Sequence, residues 1–429
     1  MQPLIDVATA ERVIAQSLPA FESERVPIIE APGRILRQRV FSERDQPPFD
    51  RVMMDGIAIR WSAPLPRAFE RVGSRMAGAQ LSQPRGPSGC HAGASAMSAE
   101  PLRPDACIDV TTGAVLPEGC DCVIPIEETR RTATGYALVA GAQPAQWQFV
   151  HRRGVDSAAG SPVLEPGVRI EAPQIAILAA NGVAQVEVAR VPPIAIIATG
   201  DELAAVDAPL RPGQIRRSND LALLAALSAH GFDRISVHHV VDDEQVLRQT
   251  LAELLDRNTV LVLSGGVSMG QRDYVPSCLE SLGVHAVFHG IAQRPGKPMW
   301  FGMGRERHAV FALPGNPVSS LVCMIRYVRP ALLSAMGLRK APADCALLAS
   351  DAGAPSRLTA FLPVRLDRGA DAVLRAYPVS SRNSGDFTSL AGTDGVIELP
   401  PAGAATSPGT PDGPGAAAGR GIAAALYRW

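Results

Sequence analysis

PPIAIIATG, at residues 192–200, is the stretch that decides the fold of this chain. It is an uninterrupted apolar run that ends in glycine, and TVLVLSGG at residues 259–266 repeats the pattern. Such runs are typical of strands buried on both faces of a parallel sheet. ISVHHVV at residues 235–241 reads as a third strand, and helical periodicity occupies residues 218–231 and 243–257. This alternation predicts an open, mostly parallel α/β sheet whose ligand lies beyond the carboxyl ends of the strands.

Modules of a different texture flank the predicted sheet. Residues 6–18 place apolar side chains on one helical face and predict a helix capped by Asp6. Between residues 62 and 150, glycine, proline and serine are frequent and the strand-prone runs are short. We expect a small all-β domain or insertion there. Residues 341–429 form a last module of short strands, and the Pro/Gly/Ala-rich residues 401–421 predict a mobile loop.

The composition excludes some classes of function. The chain has 429 residues, of which 46% are hydrophobic, so it is long enough for about three domains with sizeable cores. Its 41 Lys and Arg residues face 42 Asp and Glu residues, and the net charge is −1. No general basic field therefore attracts nucleic acid or anionic lipid. Aromatic residues are only 5%, too few for a platform that stacks single-stranded nucleic acid.

Cysteine usage and hydropathy predict a cytoplasmic protein without a membrane partner. The seven cysteines are sparse, and the only close pair, Cys120 and Cys122, has no nearby histidine. We expect separate thiols in a reducing compartment. The N-terminus lacks a basic-then-apolar signal pattern. Residues 314–337 predict one long helix, and no uninterrupted apolar run is long enough to cross a membrane.

Acidic residues follow each of the three predicted strands. Asp201 and Glu202 follow the strand in PPIAIIATG, Asp242 and Asp243 follow the strand ISVHHVV, and Asp273 comes after the strand in TVLVLSGG. An aspartate at a helix start is most often a cap. Three acid-bearing strand exits in one sheet, however, bring like charges together. These charges repel one another unless a cation bridges them. Hard oxygen ligands suit Mg²⁺ held jointly with substrate phosphates, and we expect that arrangement at this edge.

Residues suited to holding an anion lie in neighbouring loops. The Gly265-Gly266 turn can offer backbone N–H groups to an oxyanion because glycine has no Cβ. The segment Asn316–Ser320 opens a helix with hydroxyls close by, and Arg294 and Lys297 flank a Pro-Gly turn. A further pair of arginines stands at residues 216–217. Together with the acids, these residues predict a metal-plus-phosphate or oxyanion site.

Three tempting motifs point elsewhere and are weaker. Residues 266–270 match G-x-S-x-G, which would make Ser268 a hydrolase nucleophile, but no supporting acid and histidine pattern follows. Gly296-Lys297 is followed by proline and lacks the earlier glycine of a phosphate-binding P-loop. His238-His239 lies inside a strand, where successive side chains point to opposite faces and cannot share one metal.

A series of short motifs runs through the chain in a fixed order: Pro47-Pro48-Phe49-Asp50, Met54-Asp55-Gly56, Thr112-Gly113-Ala114, Thr199-Gly200-Asp201-Glu202-Leu203, Gly213-Gln214-Ile215, Ser218-Asn219, Ser264-Gly265-Gly266-Val267-Ser268, Asp273-Tyr274, Pro295-Gly296-Lys297-Pro298, Pro314-Gly315-Asn316-Pro317 and Ser384-Gly385. This series resembles the molybdopterin molybdotransferases of the MoeA type, which are related to the gephyrin E domain. The likeness covers nearly the whole chain and is far more specific than any single motif.

The resemblance implies a four-domain protomer that forms a homodimer. The expected parts are an N-terminal helix (1–22) packing on the α/β domain, a small linking domain (23–39 and 151–190), a β-rich insertion domain (40–150), an open, mostly parallel α/β sheet domain of the molybdopterin-binding type (191–337) and a C-terminal β-barrel (338–429). It also implies an active site shared between subunits and contact with a molybdopterin adenylyltransferase.

The resemblance further implies a reaction, in which adenylyl-molybdopterin and molybdate give Mo-molybdopterin and AMP with a divalent metal, Mg²⁺. The catalytic residues carried over by motif are Asp55, Thr112, Asp156, Glu202, Asp242 and Asp273, of which the last three would hold the metal. The residues expected to contact substrate or phosphate are Gly265, Gly266, Ser268, Arg294, Lys297, Asn316, Ser319 and Ser384.

The chain departs from the family pattern at two places. Val52 and Met53 stand where many members read Ser-Ala, and Pro363 stands where some have an arginine that assists cofactor binding. Two rival functions stay open: a non-catalytic cofactor-binding scaffold of the gephyrin kind, and a molybdopterin adenylyltransferase that shares the sheet fold. The retained acids favour a catalyst over a scaffold, and the β-rich module with Met54-Asp55-Gly56 favours the molybdotransferase.

Overall fold

The computed structural model describes residues 3–78, 102–267, 274–305, 308–350, 352, 357–381, 383–401 and 421–429. The chain divides into two compact units. Unit 1 comprises Met1–Gln38, Pro166–Ile175 and Gln185–Trp429, and unit 2 comprises Arg39–Glu165 and Ala176–Ala184. The finer boundaries expected from the family resemblance stay a prediction. The predicted mobile loop at 401–421 lies, except for its two end residues, outside the described residues.

Unit 1 contains the predicted α/β sheet. Its six strands lie in the order Ile235–Val240, Ile194–Thr199, Val260–Ser264, Ala309–Leu313, Trp300–Met303 and His285–His289. The first four are mutually parallel, Trp300–Met303 runs antiparallel to them, and His285–His289 runs antiparallel to Trp300–Met303. Each of the three strands expected from the apolar runs is therefore present. The strands Ile194–Thr199 and Val260–Ser264 are buried along their whole length, as an apolar run without polar alternation requires.

Helices cover both faces of this sheet. They are Asn219–Ser228, Glu244–Arg257, Val275–Ser281 and the continuous helical segment Pro317–Ala335, while Val7–Ser17 packs on the last of these. Asp6 caps the N-terminal helix as predicted, because its carboxylate accepts a hydrogen bond from the backbone of Thr9. Ile194 and Ile196 belong to one core cluster and Ile197 to another, so alternate side chains of one strand feed the two layers.

The long helix predicted from residues 314–337 contains an irregular turn. It runs as Pro317–Cys323, a π-helical segment Met324–Val328, and Arg329–Ala335. Pro317–Ala335 has the length and apolar composition of a membrane-crossing helix, although the sequence pattern had indicated no such run. Since 72% of it is buried within the protein, the segment is a core helix here.

The last module of unit 1 is a closed five-stranded barrel. Its strands follow one another as Thr359–Arg368, Leu374–Pro378, Cys345–Leu348, Ala423–Arg428 and Gly395–Leu399, and the last pairs with the first to close the ring. The short strand Gln293–Arg294 adds to the barrel beside Thr359–Arg368. A 3₁₀ turn, Phe387–Leu390, precedes the Gly395–Leu399 strand. The C-terminal barrel expected from the resemblance is present.

A buried arginine ties three parts of unit 1 together. Arg326, in the π-helical segment, is 6% exposed and pairs with Glu11 of the N-terminal helix and Glu398 of the barrel, each at 2.9 Å. Tyr427 donates a further hydrogen bond to Glu398. A buried charge is tolerated only when it is paired and hydrogen-bonded, which this arrangement provides. Two smaller pairings complete unit 1: Ser23–Pro27 with Gln185–Ala189, and Leu203–Ala204 with Ile215–Arg216.

Unit 2 is the β-rich module. Its sheet has the order Cys122–Pro125, Gly56–Ile59, Ala106–Val110, Ala68–Arg75, Gly135–Leu138 and Thr129–Arg131. Short antiparallel pairs join Arg51–Val52 to Val150–His151, and Val40–Phe41 to Pro162–Leu164. The helix Ala172–Ala180 begins in unit 1 and ends in unit 2, and Gly182, with a φ of +69°, follows its last turn. A short 3₁₀ turn lies at Ile126–Glu128 in unit 2, and another lies at Ile28–Glu30 in unit 1.

Candidate functional site

The carboxyl ends of three adjacent parallel strands form one edge of the unit 1 sheet. Thr199 stands opposite Val240 in the neighbouring strand, and Ala198 stands opposite Ser264 on the other side. The three loops that follow these strands therefore begin side by side. This register confirms that residues separated by about 60 positions in sequence start from the same edge, where open α/β sheets bind their ligands.

Two of the acid-bearing loops are joined directly. The backbone N–H of Asp242 donates to Oδ1 of Asp201 at 3.1 Å, and the N–H of Gly200 donates to the carbonyl of Val240 at 3.2 Å. Glu202 folds back over Gly200, since its Oε2 lies 2.6 Å from where a Cβ of Gly200 would stand. The carboxylates of Glu202 and Asp242 belong to exposed residues at the same edge.

The remaining acids have different positions. Asp243 is the N-cap of Glu244–Arg257, and its carboxylate accepts from the backbone N–H of Val246 at 2.9 Å. It is a structural cap, as the commonest interpretation of such a residue predicts. Asp273 and Ser268 lie outside the described residues. Within the described ranges, no group of three His, Cys, Asp or Glu side chains is arranged to hold a metal ion.

The glycine turn closes tightly over Thr199. Gly265 and Gly266 have φ values of +103° and +67°, in the region that other residues rarely adopt. A Cβ on Gly265 would stand 2.7 Å from Oγ1 of Thr199 and 2.8 Å from its carbonyl oxygen. Only glycine fits here, both for its backbone angles and for the space. The turn thus lies at the edge formed by the carboxyl ends of the strands, but the N–H of Gly265 donates to the carbonyl of Leu313 at 3.1 Å, so of the two N–H groups expected for an oxyanion only that of Gly266 stays a candidate.

Asn219 joins this turn to the next loop, and the predicted site did not include it. Its side-chain Nδ2 donates to Oγ of Ser264 at 2.9 Å and to the carbonyl of Gly315 at 2.7 Å. Gly315 in turn lies close to Gly265, with 3.6 Å between the position for its Cβ and the Cα of Gly265. The sequence signal was the Ser218-Asn219 motif before a helix, which by itself indicates only a cap.

The loop after the fourth parallel strand meets the barrel. Asn316 precedes the helix that begins at Pro317, but its side chain makes no cap; its Nδ2 donates to Oγ of Ser384 at 2.8 Å. The N–H of Val318 donates to the carbonyl of Ser384 at 3.2 Å. The structure therefore brings together two predicted contacts from distant parts of the chain. Ser319, predicted beside them, is only 3% exposed.

Arg294 and Lys297 stand on an exposed turn between the sheet and the barrel. Within the described parts of the chain, neither side chain forms an ion pair. The arginines at residues 216–217 differ from that pair. Arg216 is bound to the carbonyls of its own loop and Arg217 pairs with Asp220 at 3.3 Å, so we remove both from the anion site proposed from the sequence.

In unit 2, Asp55 and Thr112 form a direct pair. Oδ1 of Asp55 accepts from both the backbone N–H and the hydroxyl of Thr112, each at 2.7 Å. These bonds, the backbone one first, lower the pKa of Asp55, so the carboxylate stays ionised to lower pH. Both residues are exposed. Two residues that the resemblance assigned together, from positions 57 apart, are thus in contact.

Asp156 has a partner that the sequence did not indicate. Its Oδ1 lies 2.8 Å from Nε2 of His151, and Nδ1 of His151 lies 3.0 Å from the guanidinium of Arg51. Because arginine only donates, Nδ1 accepts and the neutral ring carries its proton on Nε2, facing the carboxylate. An open groove of about 590 Å³ borders this carboxylate; its lining includes Gln46 and Ile177.

The two adjacent histidines of the strand Ile235–Val240 each have a polar partner nearby. Nε2 of His238 lies 2.9 Å from Oγ of Ser236, and Nε2 of His239 lies 2.9 Å from the carbonyl oxygen of Gly200. Their separate partners agree with the strand alternation that excluded a shared metal.

Three family models match consecutive parts of the chain. The MoeA N-terminal region (domain I and II) matches residues 5–182, a probable molybdopterin binding domain matches residues 195–334, and the MoeA C-terminal region (domain IV) matches residues 346–411. The last match includes residues that the structure does not describe. The order of the three matches is the order that the motif series predicted.

Curated relatives and solved structures agree with these matches. The molybdopterin molybdenumtransferase of Synechocystis is 37% identical over 400 residues, covering 92% of this chain and 96% of that protein. The Bacillus subtilis enzyme of the same name is 30% identical, covering 92% and 90%. A molybdopterin biosynthesis MoeA protein from Pyrococcus horikosii aligns with a TM-score of 0.75 and 29% identity over 99% of each chain. The chain has the sheet edge with Asp201, Glu202 and Asp242, the Gly265-Gly266 turn and the C-terminal barrel. Together with these features, the likenesses identify the chain as a member of the MoeA family of molybdopterin molybdenumtransferases, which act in molybdenum cofactor biosynthesis.

Proposed function

We propose that this chain converts adenylyl-molybdopterin and molybdate into Mo-molybdopterin and AMP with the help of Mg²⁺. The observation that carries the proposal is the junction of two acid-bearing loops beside the glycine turn, where the N–H of Asp242 meets Oδ1 of Asp201. An edge that offers both carboxylates and the backbone N–H of Gly266 suits a substrate with a phosphoanhydride, because its charge needs a cation and hydrogen-bond donors.

Different residues of unit 1 would bind different parts of the substrate. The N–H of Gly265 donates to the carbonyl of Leu313 at 3.1 Å, so the N–H of Gly266 would be the donor of this turn to a phosphate oxygen, and Asn219 keeps the turn next to Gly315. Arg294 and Lys297 would offset the negative charge that develops as AMP leaves or would hold the molybdate. Their exposure and the absence of ion pairs within the described residues leave both side chains available for an anion.

The chemistry of the donor set fits Mg²⁺. Glu202 and Asp242 supply carboxylate oxygens at adjoining loops, and hard oxygen ligands are those that Mg²⁺ prefers. Asp273, outside the described residues, is the third proposed ligand. When bound, the ion would act as a Lewis acid on the phosphoanhydride. The chain's own contribution is to hold the loop of Asp242 against the loop that carries Glu202, through the Asp201 acceptor.

We further propose that the active enzyme is a homodimer whose sites use residues from both subunits. The proposal rests on the family to which the chain belongs, and under it Asp55, Thr112 and Asp156 of unit 2 would come from one subunit and Glu202 and Asp242 of unit 1 from the other. If sites are shared, mixing inactive Asp55→Asn and Asp242→Asn proteins restores up to about one quarter of the activity per chain, since some sites then receive two intact halves. A mixture as inactive as its components would contradict sharing.

The decisive experiment measures AMP release from adenylyl-molybdopterin in the presence of molybdate and Mg²⁺. Asp242→Asn should lower the rate by roughly 100-fold, as is common when a group acting on a transition state is lost. Asp243→Asn is the matched control, because it makes the same chemical change one residue later at a helix cap where asparagine also caps well.

The outcomes separate the rival functions. Equal rates for wild type and Asp242→Asn would overturn the assignment of the acids. Binding of Mo-molybdopterin without AMP release would favour a scaffold, and formation of adenylyl-molybdopterin from a nucleotide would favour the adenylyltransferase.

A further inference from the structure

A polar cluster lies buried beneath the exposed turn that carries Arg294 and Lys297. It consists of Gln293, Cys323 and Tyr327, which are 0%, 0% and 2% exposed. Gln293 begins the turn, in the short strand that pairs with the barrel, and the other two lie on the long core helix. Polar side chains in such a core are unfavourable unless each is hydrogen-bonded.

Each member of the cluster is satisfied, and two of the bonds end on the backbone of the turn. The side-chain Nε2 of Gln293 donates to the carbonyl of Pro295 at 3.0 Å, and the thiol of Cys323 contacts the carbonyl of Gly296 at 3.8 Å between sulfur and oxygen. The hydroxyl of Tyr327 donates to Oε1 of Gln293. Buried side chains thus bind the carbonyls of both central residues of the turn, Pro295 and Gly296.

The protonation states match these directions. Burial raises the pKa of Cys323 and of Tyr327 far above neutral pH, so both keep the proton that they donate. Gly296 cannot be replaced without disturbing the cluster: its φ is +95°, and a Cβ there would stand 2.8 Å from the sulfur of Cys323. The backbone of the turn is therefore held in one conformation by its own shape and by the cluster.

The position of Tyr327 depends on the irregular turn of the core helix. Tyr327 belongs to the π-helical segment Met324–Val328, where the backbone pairing is one residue wider than in an α-helix. Such a segment changes the direction in which its side chains leave the helix. Here Arg326, next to Tyr327 in sequence, pairs with Glu11 and Glu398. The same segment therefore serves the ion-pair network and the polar cluster.

We propose that Gln293 is a positioning residue for oxyanion binding, which fixes the direction of the Arg294–Lys297 turn, and that Tyr327 acts through Gln293. The inference rests on the proposed role of Lys297 as an oxyanion contact. Lysine and arginine side chains are flexible, so the backbone that carries them decides where their charges converge. A rigid turn lowers the entropy lost when molybdate or phosphate binds. Gln293 itself is fully buried and touches no substrate.

The test is calorimetric titration of the full-length protein with molybdate, together with the KM for molybdate and kcat in the AMP-release assay. Gln293→Met preserves the volume but removes the donor, so we expect roughly tenfold weaker affinity, a matching rise in KM and less than a twofold change in kcat. Tyr327→Phe leaves the Gln293–Pro295 bond in place, so we expect a loss of about two- to threefold. The double variant should bind no more weakly than Gln293→Met alone, because Tyr327 acts only through the amide.

Two further variants make the result decisive. Asn258→Leu removes another buried side-chain bond of unit 1, from Nδ2 to the carbonyl of Leu254 at 2.9 Å, and should lower stability without changing molybdate affinity. Lys297→Ala tests the proposed contact itself. Weaker binding in Lys297→Ala but not in Gln293→Met overturns the positioning role and leaves the proposed function standing. Unchanged binding in Lys297→Ala removes the oxyanion contact and the inference with it. Equal weakening in Asn258→Leu and Gln293→Met also overturns the inference, because general destabilisation then suffices.

Discussion

The backbone N–H of Asp242 donates to Oδ1 of Asp201 at 3.1 Å, so one strand-end loop is held by an acid of the next. An acceptor oxygen, and not a negative charge, is what this bond requires. We therefore expect Asp201→Asn to keep AMP release within about threefold of wild type, whereas Asp201→Ala loses the bond, worth about 1 kcal/mol. The loop carrying Asp242 then loosens and the Mg²⁺ concentration for half-maximal rate should rise. Equal defects in the two variants would show that the charge of Asp201 matters directly.

Removing the bridge at Asn219 should cost more than removing one of its partners. Asn219→Ala leaves both Ser264 and Gly315 without their donor, so we expect a loss of about 2 kcal/mol in the free energy of unfolding and a higher KM for substrate. Ser264→Ala breaks only one of the two bonds and should cost about half as much. Urea unfolding of the two single variants and the double variant checks this. Additive losses would contradict a shared bridge.

The glycine turn should reject even the smallest side chain. In Gly265→Ala the new Cβ meets Thr199 at 2.7 Å in addition to the strain of a positive φ. Gly213→Ala is the matched control, since Gly213 has a φ of +86° and open space around its Cβ position. We expect roughly 1 kcal/mol of destabilisation for Gly213→Ala and at least 3 kcal/mol for Gly265→Ala, measured by chemical denaturation. Similar losses in both would mean that the contact with Thr199 relaxes freely.

The contact between Thr112 and Asp55 should set the acid side of the pH profile. The pKa of Asp55 is lowered in the folded protein, so its ionised form contributes stability above the unfolded-state pKa, and this is lost as the pH falls through the folded-state value. Thr112→Val removes the hydroxyl donor but keeps the backbone one, so the pKa should rise towards its ordinary value and the acid limb of activity should move to higher pH. Thr112→Ser should retain the wild-type profile. Carboxyl NMR titration of Asp55 measures the shift, and an unchanged pKa in Thr112→Val would exclude the hydroxyl as its cause.

Local patterns predicted the parts of the fold whose physical cause is local. The buried strands of the sheet followed from continuous apolar runs, and the helix Val7–Ser17 followed from its periodicity and the Asp6 cap. The π-helical segment around Tyr327 could not be predicted in this way. Arg326 within that segment pairs with Glu11 and Glu398, which are distant in sequence, and hydrophobic periodicity carries no signal for such partners.

The candidate site shows the same division. Motifs marked Asp55 and Thr112 and the acids after the strands, but whether Asp55 touches Thr112 depends on strand pairing within unit 2. The sequence did not distinguish Arg216 and Arg217 from Arg294 and Lys297 as anion-binding candidates. In the structure, the first pair is bound to carbonyls of its own loop and to Asp220. His151 and Gln293 carry no distinctive pattern, and the Ser218-Asn219 motif does not show which atoms Asn219 binds. Their importance lies in the atoms that they reach, and those atoms come from other segments.

The sequence by itself determined the kinds of element and the residue types at the ligand edge, because hydrophobic periodicity, capping and glycine's backbone freedom act over a few neighbouring residues. Only the tertiary structure decided which of the charged and polar side chains are held, buried or left exposed. That choice depends on distances between segments far apart in the chain, and hydrogen bonds and ion pairs lose most of their strength within a few ångströms.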